Sequence, residues 1–533
     1  MSPRHPCVAR RFTQPATRWS TLAWLLALAG GLCLSRTVEA RPPNVIVVLM
    51  DDMGWRDLGS TGNRFIETPH LDRLARRGLH FTCAYANAPN CSPTRACLMS
   101  GQYTPRHGVY TVVDPNQKAG GAWQRLLPAR NSPELPTQSV TLAESLRDGG
   151  YATAFFGMWN LGRGRSGPVS PSGQGFDKVV FPDALGFGKD AYRDSRGNYL
   201  SDRLTDEVLK FIEQKSSTPF FVYFADHAVH APFDPRPDLL EKYTAKREQT
   251  GERGQTAEYA ATVEAVDQNM GRLVEKLEEL GLAEETLLVF TSDNGGTGSS
   301  SAPLRGNKGQ LYEGGVRVPL LMAGAGVTQP GREIAEPVLS LDLYPTVLEL
   351  AGLPPPAGHR LDGRSLAPLM AGAGDWPARD LFWHFPCYAG RGAPSGSLRA
   401  GRWKLIEFFE SPNRPELYDL AEDPGEQRNL AAEQPERTRE LLARLKQWQE
   451  TTGALLPADN PDYDATAQRP RGGAQARGRG RNGASGETEG GGREGGRGGR
   501  GAAGRGAGGN DSRGQGRGRR QESMQERGER DET

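Results

Sequence analysis

Two polar pairs stand directly after apolar runs. Asp51-Asp52 follows the run Asn44–Met50, and Asp293-Asn294 follows the run 286–291. A third apolar run, 220–224, leads to Asp226, His227 and His230. Carboxylates and an amide oxygen form a hard, oxygen-only donor set that favours Ca²⁺ or Mg²⁺ over zinc. Taken singly, an acidic pair after a strand is often no more than a helix cap. Two such pairs converging at neighbouring strand ends point to a metal. The histidines add imidazole, the commonest proton donor near neutral pH.

These side chains need a scaffold that brings distant segments together. The run VIVVLM is apolar throughout and rich in β-branched residues, the pattern of a strand buried on both faces in a parallel sheet. Residues 152–156, 220–224 and 286–291 read the same way, and 318–322 reads as a further strand. Helical patterns alternate with them. Thr68 caps a helix with Pro69 at its first position and Gly78 beyond its end. Thr141 and Glu144 form a capping box for a helix that stops at Gly149-Gly150. Leu204, Val208, Phe211 and Ile212 share one helical face. Tyr259, Val263, Val266, Met270, Leu273, Leu277 and Leu280 keep a three-four spacing through a long helix that packs on the sheet. The alternation predicts an α/β fold, a large, mostly parallel mixed sheet flanked by helices. Such sheets bind ligands beyond the carboxyl ends of their strands, where the acids and histidines stand. From about Leu381, LFWHF, 397–398, WKLIEFF and ELYDL read as short strands of a smaller antiparallel sheet, with a helix carrying Leu441, Leu442, Leu445 and Trp448 packed on it.

The segment Cys91-Ser92-Pro93-Thr94-Arg95-Ala96, continuing to Leu98 and Gly101, resembles the Cys-x-Pro-x-Arg signature of type I sulfatases. PNVIVVLMDDMGW, FTSDNGG, PLRGNKGQLYEGGVRVP and ELYDLAEDPGEQRNL are similar to further family blocks in the same order, so the resemblance spans residues 43 to 455. It is closest to bacterial arylsulfatase-A-like members, with an alkaline-phosphatase-like fold. The resemblance implies that a formylglycine-generating enzyme oxidises Cys91 to formylglycine, whose hydrate is the nucleophile. It implies that Asp51, Asp52, Asp293 and Asn294 ligate calcium, with position 91 completing the shell. Arg95 matches the arginine that holds the hydrate, Lys308 a lysine that contacts the sulfate, and His230, in HAVHAP, a histidine near the leaving oxygen. The chemistry suits these roles: a dianionic transition state needs fixed cations and donors, and a leaving alkoxide needs a proton. Read from the residues alone, Cys91 could be an ordinary buried thiol and Arg95 a structural ion pair. His227 reads as packing beside the site, His107 as structural, and Glu313 and Arg317 as a pair that steadies the Lys308 loop.

The chain departs from the family pattern. Where relatives have Gly-Lys-Trp-His-Leu-Gly, it has Gly157-Met158-Trp159-Asn160-Leu161-Gly162. Met158 carries no charge. Asn160 can hydrogen-bond to substrate but is no base at neutral pH. Cys387, in Trp383-His384-Phe385-Pro386-Cys387, stands where close relatives often have histidine. Losing one preorganised charge contact costs about 2–4 kcal/mol of transition-state stabilisation. The leading reading is a sulfuric ester hydrolase acting on a sulfated small molecule or glycan, above all a sulfated carbohydrate. The alternatives are an impaired pseudo-sulfatase that binds sulfated glycans, and a phosphoesterase or phosphonate hydrolase of the same fold. Cys91 argues against the last, since many of those use Thr or Ser there. Substrate determinants are expected in the loops 114–136, 163–194 and 388–394.

The 533-residue chain divides by composition into an export signal (1–40), a catalytic domain (41–378), an antiparallel subdomain (379–457) and a disordered Gly/Arg-rich tail (458–533). Arg4, Arg10, Arg11 and Arg18 precede an apolar run over 22–34, and Val38-Glu39-Ala40 offers a cleavage site, so export to the periplasm or beyond is expected. The apolar run is short for a membrane span; an uncleaved anchor is the alternative. The net charge of +1 implies no global attraction to nucleic acid or an anionic membrane. The RGRGR and RGGRG repeats of the tail resemble RNA-binding tails, but export favours contact with an anionic polysaccharide, or no role. Of six cysteines, Cys7 and Cys33 leave with the signal. Cys83, Cys91, Cys97 and Cys387 remain, a poor disulfide framework with room for at most one bridge.

Overall fold

A computed structural model describes residues 41–112, 121–162, 164–188, 191–298, 300–372 and 376–469. The expected export signal and the tail beyond 469 lie outside the described residues. Eight strands form the main sheet: β1 (Asn44–Met50), β2 (Leu79–Phe81), β3 (Ala152–Gly157), β4 (Lys178–Val180), β5 (Phe220–Asp226), β6 (Thr286–Ser292), β7 (Leu320–Gly324) and β8 (Arg332–Ile334). Their spatial order is β8-β2-β7-β6-β1-β5-β3-β4. The sheet is mixed and mostly parallel, with β7 antiparallel to both of its neighbours.

β7 begins two residues later than expected, and it is the strand that makes the sheet mixed. No helix crosses the sheet between β6 and β7, so the chain enters β7 from the end at which it left β6. Val318 instead donates its N–H to Ala84 O at 3.0 Å, outside the main sheet.

β1 sits at the centre, in register with β5 (Val48 opposite Phe224) and β6 (Val48 opposite Phe290). Its alternate residues serve two cores, which is why the whole run is apolar. Ile46, Val48 and Met50 pack with Phe156, Phe224 and Phe290 beneath helices α1 (Pro69–Arg77), α4 (Leu200–Lys215), α5 (Pro237–Thr250) and α6 (Ala257–Glu279). Val45, Val47 and Leu49 pack with Phe155, Tyr223 and Val289 against α2 (Cys91–Ser100), α3 (Leu142–Asp148) and α7 (Leu343–Ala351). The α6 stripe from Tyr259 to Leu277 is buried as expected, while Leu280 is the C-cap.

The Thr141–Glu144 capping box forms in both directions, with Glu144 N donating to Thr141 Oγ1 at 3.1 Å and Thr141 N to Glu144 Oε2 at 2.8 Å. Thr68, by contrast, does not cap α1 with its side chain. The Asp267 carboxylate of α6 does so from a distance, accepting from His70 N at 3.2 Å and Leu71 N at 2.7 Å.

The C-terminal part is a meander of β9 (Asp380–Phe385), β10 (Ser395–Ala400), β11 (Trp403–Phe408) and β12 (Glu416–Asp419), all antiparallel. α8 (Pro435–Thr452) covers it, burying Leu441 and Leu445 on Leu398, Leu405 and Leu417. Residues 458–469, grouped with the tail by composition, are partly tied to the body. Ala458–Asp459 pairs with Leu126–Leu127, and Asn460 Nδ2 donates to Gln124 O at 2.7 Å. The partners come from a distant loop, which composition does not reveal. Cys83, Cys91, Cys97 and Cys387 are all free thiols. Among the described residues no helix is long and apolar enough to cross a membrane.

Candidate active site at the carboxyl ends of the strands

β1 ends at Met50 and delivers Asp51 and Asp52; β6 ends at Ser292 and delivers Asp293 and Asn294. β5 runs into His227 and His230, and β3 into Met158 and Asn160. Cys91 enters from another direction, as the first residue of α2, at the positive end of the helix dipole. Asp51, Asp52, Asp293 and Cys91 converge with ligand atoms within 4.8 Å of one another, all buried. The Cys91 thiol donates to Asp51 Oδ1 at 3.2 Å. Asn294 Nδ2 donates to Asp52 Oδ1 at 2.8 Å, while its Oδ1 is buried without a protein partner.

Arg95, one turn along α2 and fully buried, braces the cluster. It donates from Nε and Nη2 to Asp293 Oδ2 at 2.9 and 2.8 Å, from Nη2 to Asp51 Oδ2 at 3.1 Å, and from Nη1 to the Met158 carbonyl. Lys308 Nζ pairs with Asp52 and lies 3.9 Å from Asp51 Oδ1. His227 Nδ1 lies 3.4 Å from Asp51 Oδ2, and His230 Nε2 lies 3.7 Å from Asp52 Oδ2. The two imidazoles stack at 4.8 Å.

Charge within the cluster is unbalanced: three buried carboxylates face two cations. Burial pushes Asp51 upward, but Arg95, the His227 bond and Lys308 hold it well below the usual carboxylate range. Burial and the Asp51 charge push Asp293 up to about 7, despite Arg95. An excess of buried carboxylate, with an unpartnered amide oxygen beside it, suits a hard divalent cation. Burial, then Asp293 and Asp51, raise the Cys91 thiol well above its ordinary value, so the sulfur is a neutral, weakly nucleophilic thiol. Burial opposes protonation of His227, but the Asp51 contact outweighs it and raises its pKa.

The backbone is strained around this cluster. Asp52 (φ 72°), Asn160 (φ 57°) and Val229 (φ 70°), between the two histidines, are three of the four non-glycine residues with positive φ among those described. Each such conformation costs on the order of 1–3 kcal/mol and persists where surrounding contacts impose it.

The Lys308 loop is anchored on both sides. Lys308 N donates to Gly296 O at 3.1 Å, and Gly309 N to Pro89 O at 2.6 Å, just ahead of Cys91. Gly309, at φ 89°, has no room for a side chain: a Cβ would lie 2.5 Å from Ala389 O. The predicted Glu313–Arg317 pair forms at 3.6 Å. It belongs to a larger buried network that the sequence did not disclose. Lys404 of β11 contacts Glu313 at 2.9 Å and Glu426 at 3.1 Å, and Tyr85 donates to Glu313 at 2.7 Å. Glu313 N donates to Glu426 at 2.6 Å, and Gly315 O accepts from Gly295 N, one residue past Asn294, at 3.0 Å.

Three further residues fall into place. His107 is buried with Nε2 3.4 Å from Cys97 Sγ, and burial lowers its pKa to about 3, as suits a structural imidazole. Cys387 packs with Tyr85, Tyr110 and Phe385 in an apolar cluster, and burial raises it to about 12. Tyr192 carries no motif, yet its hydroxyl donates to the carbonyls of His227, at 2.9 Å, and His230.

Known proteins resemble this chain in sequence and fold. Residues 43–353 match the family described as Sulfatase, and 307–452 match the C-terminal region of N-sulphoglucosamine sulphohydrolase. A sulfatase of Formosa agariphila is 33% identical over 473 residues, covering 74% of this chain and 85% of its own. Human arylsulfatase A is also 33% identical, covering 80% of this chain and 89% of its own. The crystal structure of Ps i-CgsB in complex with k-i-k-neocarrahexaose superposes with a TM-score of 0.65 at 26% identity, covering 78% of this chain and 95% of that one. A phosphonate monoester hydrolase of Agrobacterium radiobacter, at 21% identity and a TM-score of 0.58, shares the fold. With the matched region running from β1 through the Cys91 helix to α7, the chain belongs to the sulfatase family.

Proposed function

We propose that this sulfatase hydrolyses the sulfate ester of a carbohydrate at position 91, after a formylglycine-generating enzyme has oxidised Cys91, beside a calcium ion held by Asp51, Asp52, Asp293 and Asn294. The observation that carries the reading is the convergence of three carboxylates and Cys91 within 4.8 Å at the start of α2. When bound, calcium supplies charge that polarises the sulfate, and formylglycine supplies a hydrated, nucleophilic oxygen that a neutral thiol lacks. Magnesium fits less well, because four protein ligands leave little of the water shell it keeps.

The chain's own residues do the rest. Arg95 fixes the positions of Asp51 and Asp293 and steadies residue 91. Lys308 Nζ stands beside Asp52, where it can hold a sulfate oxygen. His230, a third exposed and stacked on His227, can hand a proton to the leaving oxygen. Asn160 can hydrogen-bond to substrate at the end of β3. An N-acetylgalactosamine-6-sulfatase from dog, 34% identical over 69% of this chain, and the neighbour in complex with k-i-k-neocarrahexaose support a sulfated sugar as substrate. We further place the protein outside the cytoplasm, in keeping with the export signal read from its first 40 residues.

Met158 and Asn160 favour a second reading, a binding protein that holds sulfated glycans without turnover. The deciding experiment uses protein shown by mass spectrometry to carry formylglycine at residue 91, with a Cys91→Ala control. Desulfated product and free sulfate are followed separately on carrageenan oligosaccharides, galactosamine 6-sulfate and an aryl sulfate. Continued release of both establishes the sulfatase reading. One equivalent of desulfated product with no free sulfate places the block at the step that lacks the histidine. Calcium-dependent binding with no product decides for the binding protein. His230→Ala is expected to lower turnover about 10²- to 10⁴-fold.

A further inference from the structure

Among the described residues, no hydrogen bond fastens the imidazole of His230. Its Nδ1 is buried without a partner, and its Nε2 stands 3.7 Å from Asp52 Oδ2, beyond hydrogen-bond reach. Yet a proton donor works only when held within about 2.6–3.2 Å of the atom that takes the proton. Its orientation must therefore come from the face of the ring and from the backbone that carries it.

Both lead to Tyr192. Four rings stand in series: Tyr199 and Tyr192 with centroids 6.4 Å apart, Tyr192 and His227 at 5.5 Å with planes 11° apart, and His227 and His230 at 4.8 Å. The first three are buried, and His230, at the outer end, is a third exposed. The Tyr192 hydroxyl donates to the carbonyls of His227, at 2.9 Å, and His230. Between those carbonyls lies Val229, whose φ of 70° is an outlier for a β-branched side chain. Such a backbone persists only where contacts impose it. One contact comes from within the turn, where Asp226 Oδ1 accepts from Ala228 N at 3.0 Å. Tyr192 supplies another and closes the turn across both of its ends. It is itself fixed to the head of α4, where Leu200 N donates to Tyr192 O at 2.8 Å and the Ser201 hydroxyl donates to Asp226. Burial, then the Asp51 charge, raises the pKa of the phenol, so the hydroxyl keeps the proton that it donates.

We infer that Tyr192 is a positioning residue for proton donation: its ring and hydroxyl together hold the turn from His227 to His230 so that the His230 imidazole faces the leaving oxygen. The inference rests on the role given to His230 above and names the residue through which that role is set. Tyr192 is 3% exposed and acts through His230.

The test uses Tyr192→Phe, which keeps the ring stack and removes the hydroxyl. In formylglycine-bearing protein, kcat/KM is compared for galactosamine 6-sulfate, whose leaving alkoxide needs a proton, and 4-nitrophenyl sulfate, whose phenolate departs without one. Tyr192→Phe should lower kcat/KM for galactosamine 6-sulfate by roughly tenfold or more and cost 4-nitrophenyl sulfate far less, because a general acid helps only where the leaving group needs its proton. In a His230→Ala background the same change should cost nothing further, since the two losses are coupled rather than additive. No loss, an equal loss on both substrates, or additive losses overturn the inference. A second readout needs no turnover. In protein that still carries the Cys91 thiol and is labelled with ¹³C-histidine, the His230 imidazole signal is identified by its absence in His230→Ala. It should shift or broaden in Tyr192→Phe, while the signals of His107 and His384, buried elsewhere, stay in place. If no ester is hydrolysed, the site reading fails and this signal decides alone. A displaced His230 signal sustains Tyr192 as the residue that sets it, and an unmoved one overturns the inference.

Discussion

Arg95 touches Asp51, Asp293 and the Met158 carbonyl, so its loss reaches into the fold itself. Arg95→Met leaves Asp51 and Asp293 buried without their cation, a change that destabilises by about 3–5 kcal/mol. Urea unfolding should show it as a lower midpoint at unchanged slope; an unchanged midpoint would contradict the buried ion pairs. At the β3 end, Asn160→His should raise steady sulfate release by at least about tenfold, because it supplies a base. Histidine, like asparagine, is among the residues enriched at the left-handed φ of 57° found there. If release does not rise, the missing histidine does not limit the reaction. Asp57 offers a pH test. Burial pushes it up to about 7 despite bonds from Tyr259 and Gly54. Because the folded value lies above the unfolded 3.8, its cost is absent below pH 4 and grows as pH rises through about 7. Asp57→Asn should therefore match the native protein in acid and exceed it at pH 8, by on the order of 4 kcal/mol at most. At this scale the sequence was legible in the placement of Cys91 and Arg95, which one motif sets four residues apart on a single helix. It was silent on Tyr192, whose role comes from a hydroxyl meeting two carbonyls more than thirty positions away.

Strands and helices were legible because burial leaves periodic marks. β1 is apolar throughout because alternate residues serve two cores, and the α3 capping box needs only residues three apart. β7 was legible as a strand but its direction was not, because direction depends on the route of the loop before it, which composition does not record. The α1 cap escaped because Asp267 lies about 200 positions from the amides it receives. β11 was legible as a strand, but the partners of its Lys404, fully buried between Glu313 and Glu426, were not. Lys404→Met removes that charge and should destabilise by about 3–5 kcal/mol. Since the Glu313 turn is bonded to Gly295, the variant should also bind calcium more weakly, which calorimetry on the folded fraction would reveal. Lys404→Arg should restore part of both; destabilisation with native calcium affinity would show that the network supports only the fold.

Across the whole molecule, calcium should couple to stability. A cation that binds only the folded chain adds about 2.7 kcal/mol at a hundredfold excess over its Kd. Chelation should therefore lower the thermal midpoint, and calcium should restore it. A midpoint indifferent to chelator would exclude Asp51, Asp52, Asp293 and Asn294 as a tight site. The two polar pairs are far apart in the chain, with Asp52 N only 3.4 Å from Asp293 Oδ1 across 241 positions. They meet only because β1 inserts between β5 and β6. Loops that long close slowly, and their contacts form late. During refolding, calcium uptake should accordingly lag behind the gain of helical signal and coincide with the final burial of β1. A chain severed before β6 should bind no calcium, even with Asp51, Asp52 and Cys91 present. The ion would then serve as a clock for assembly, reporting when the first and sixth strands have found each other.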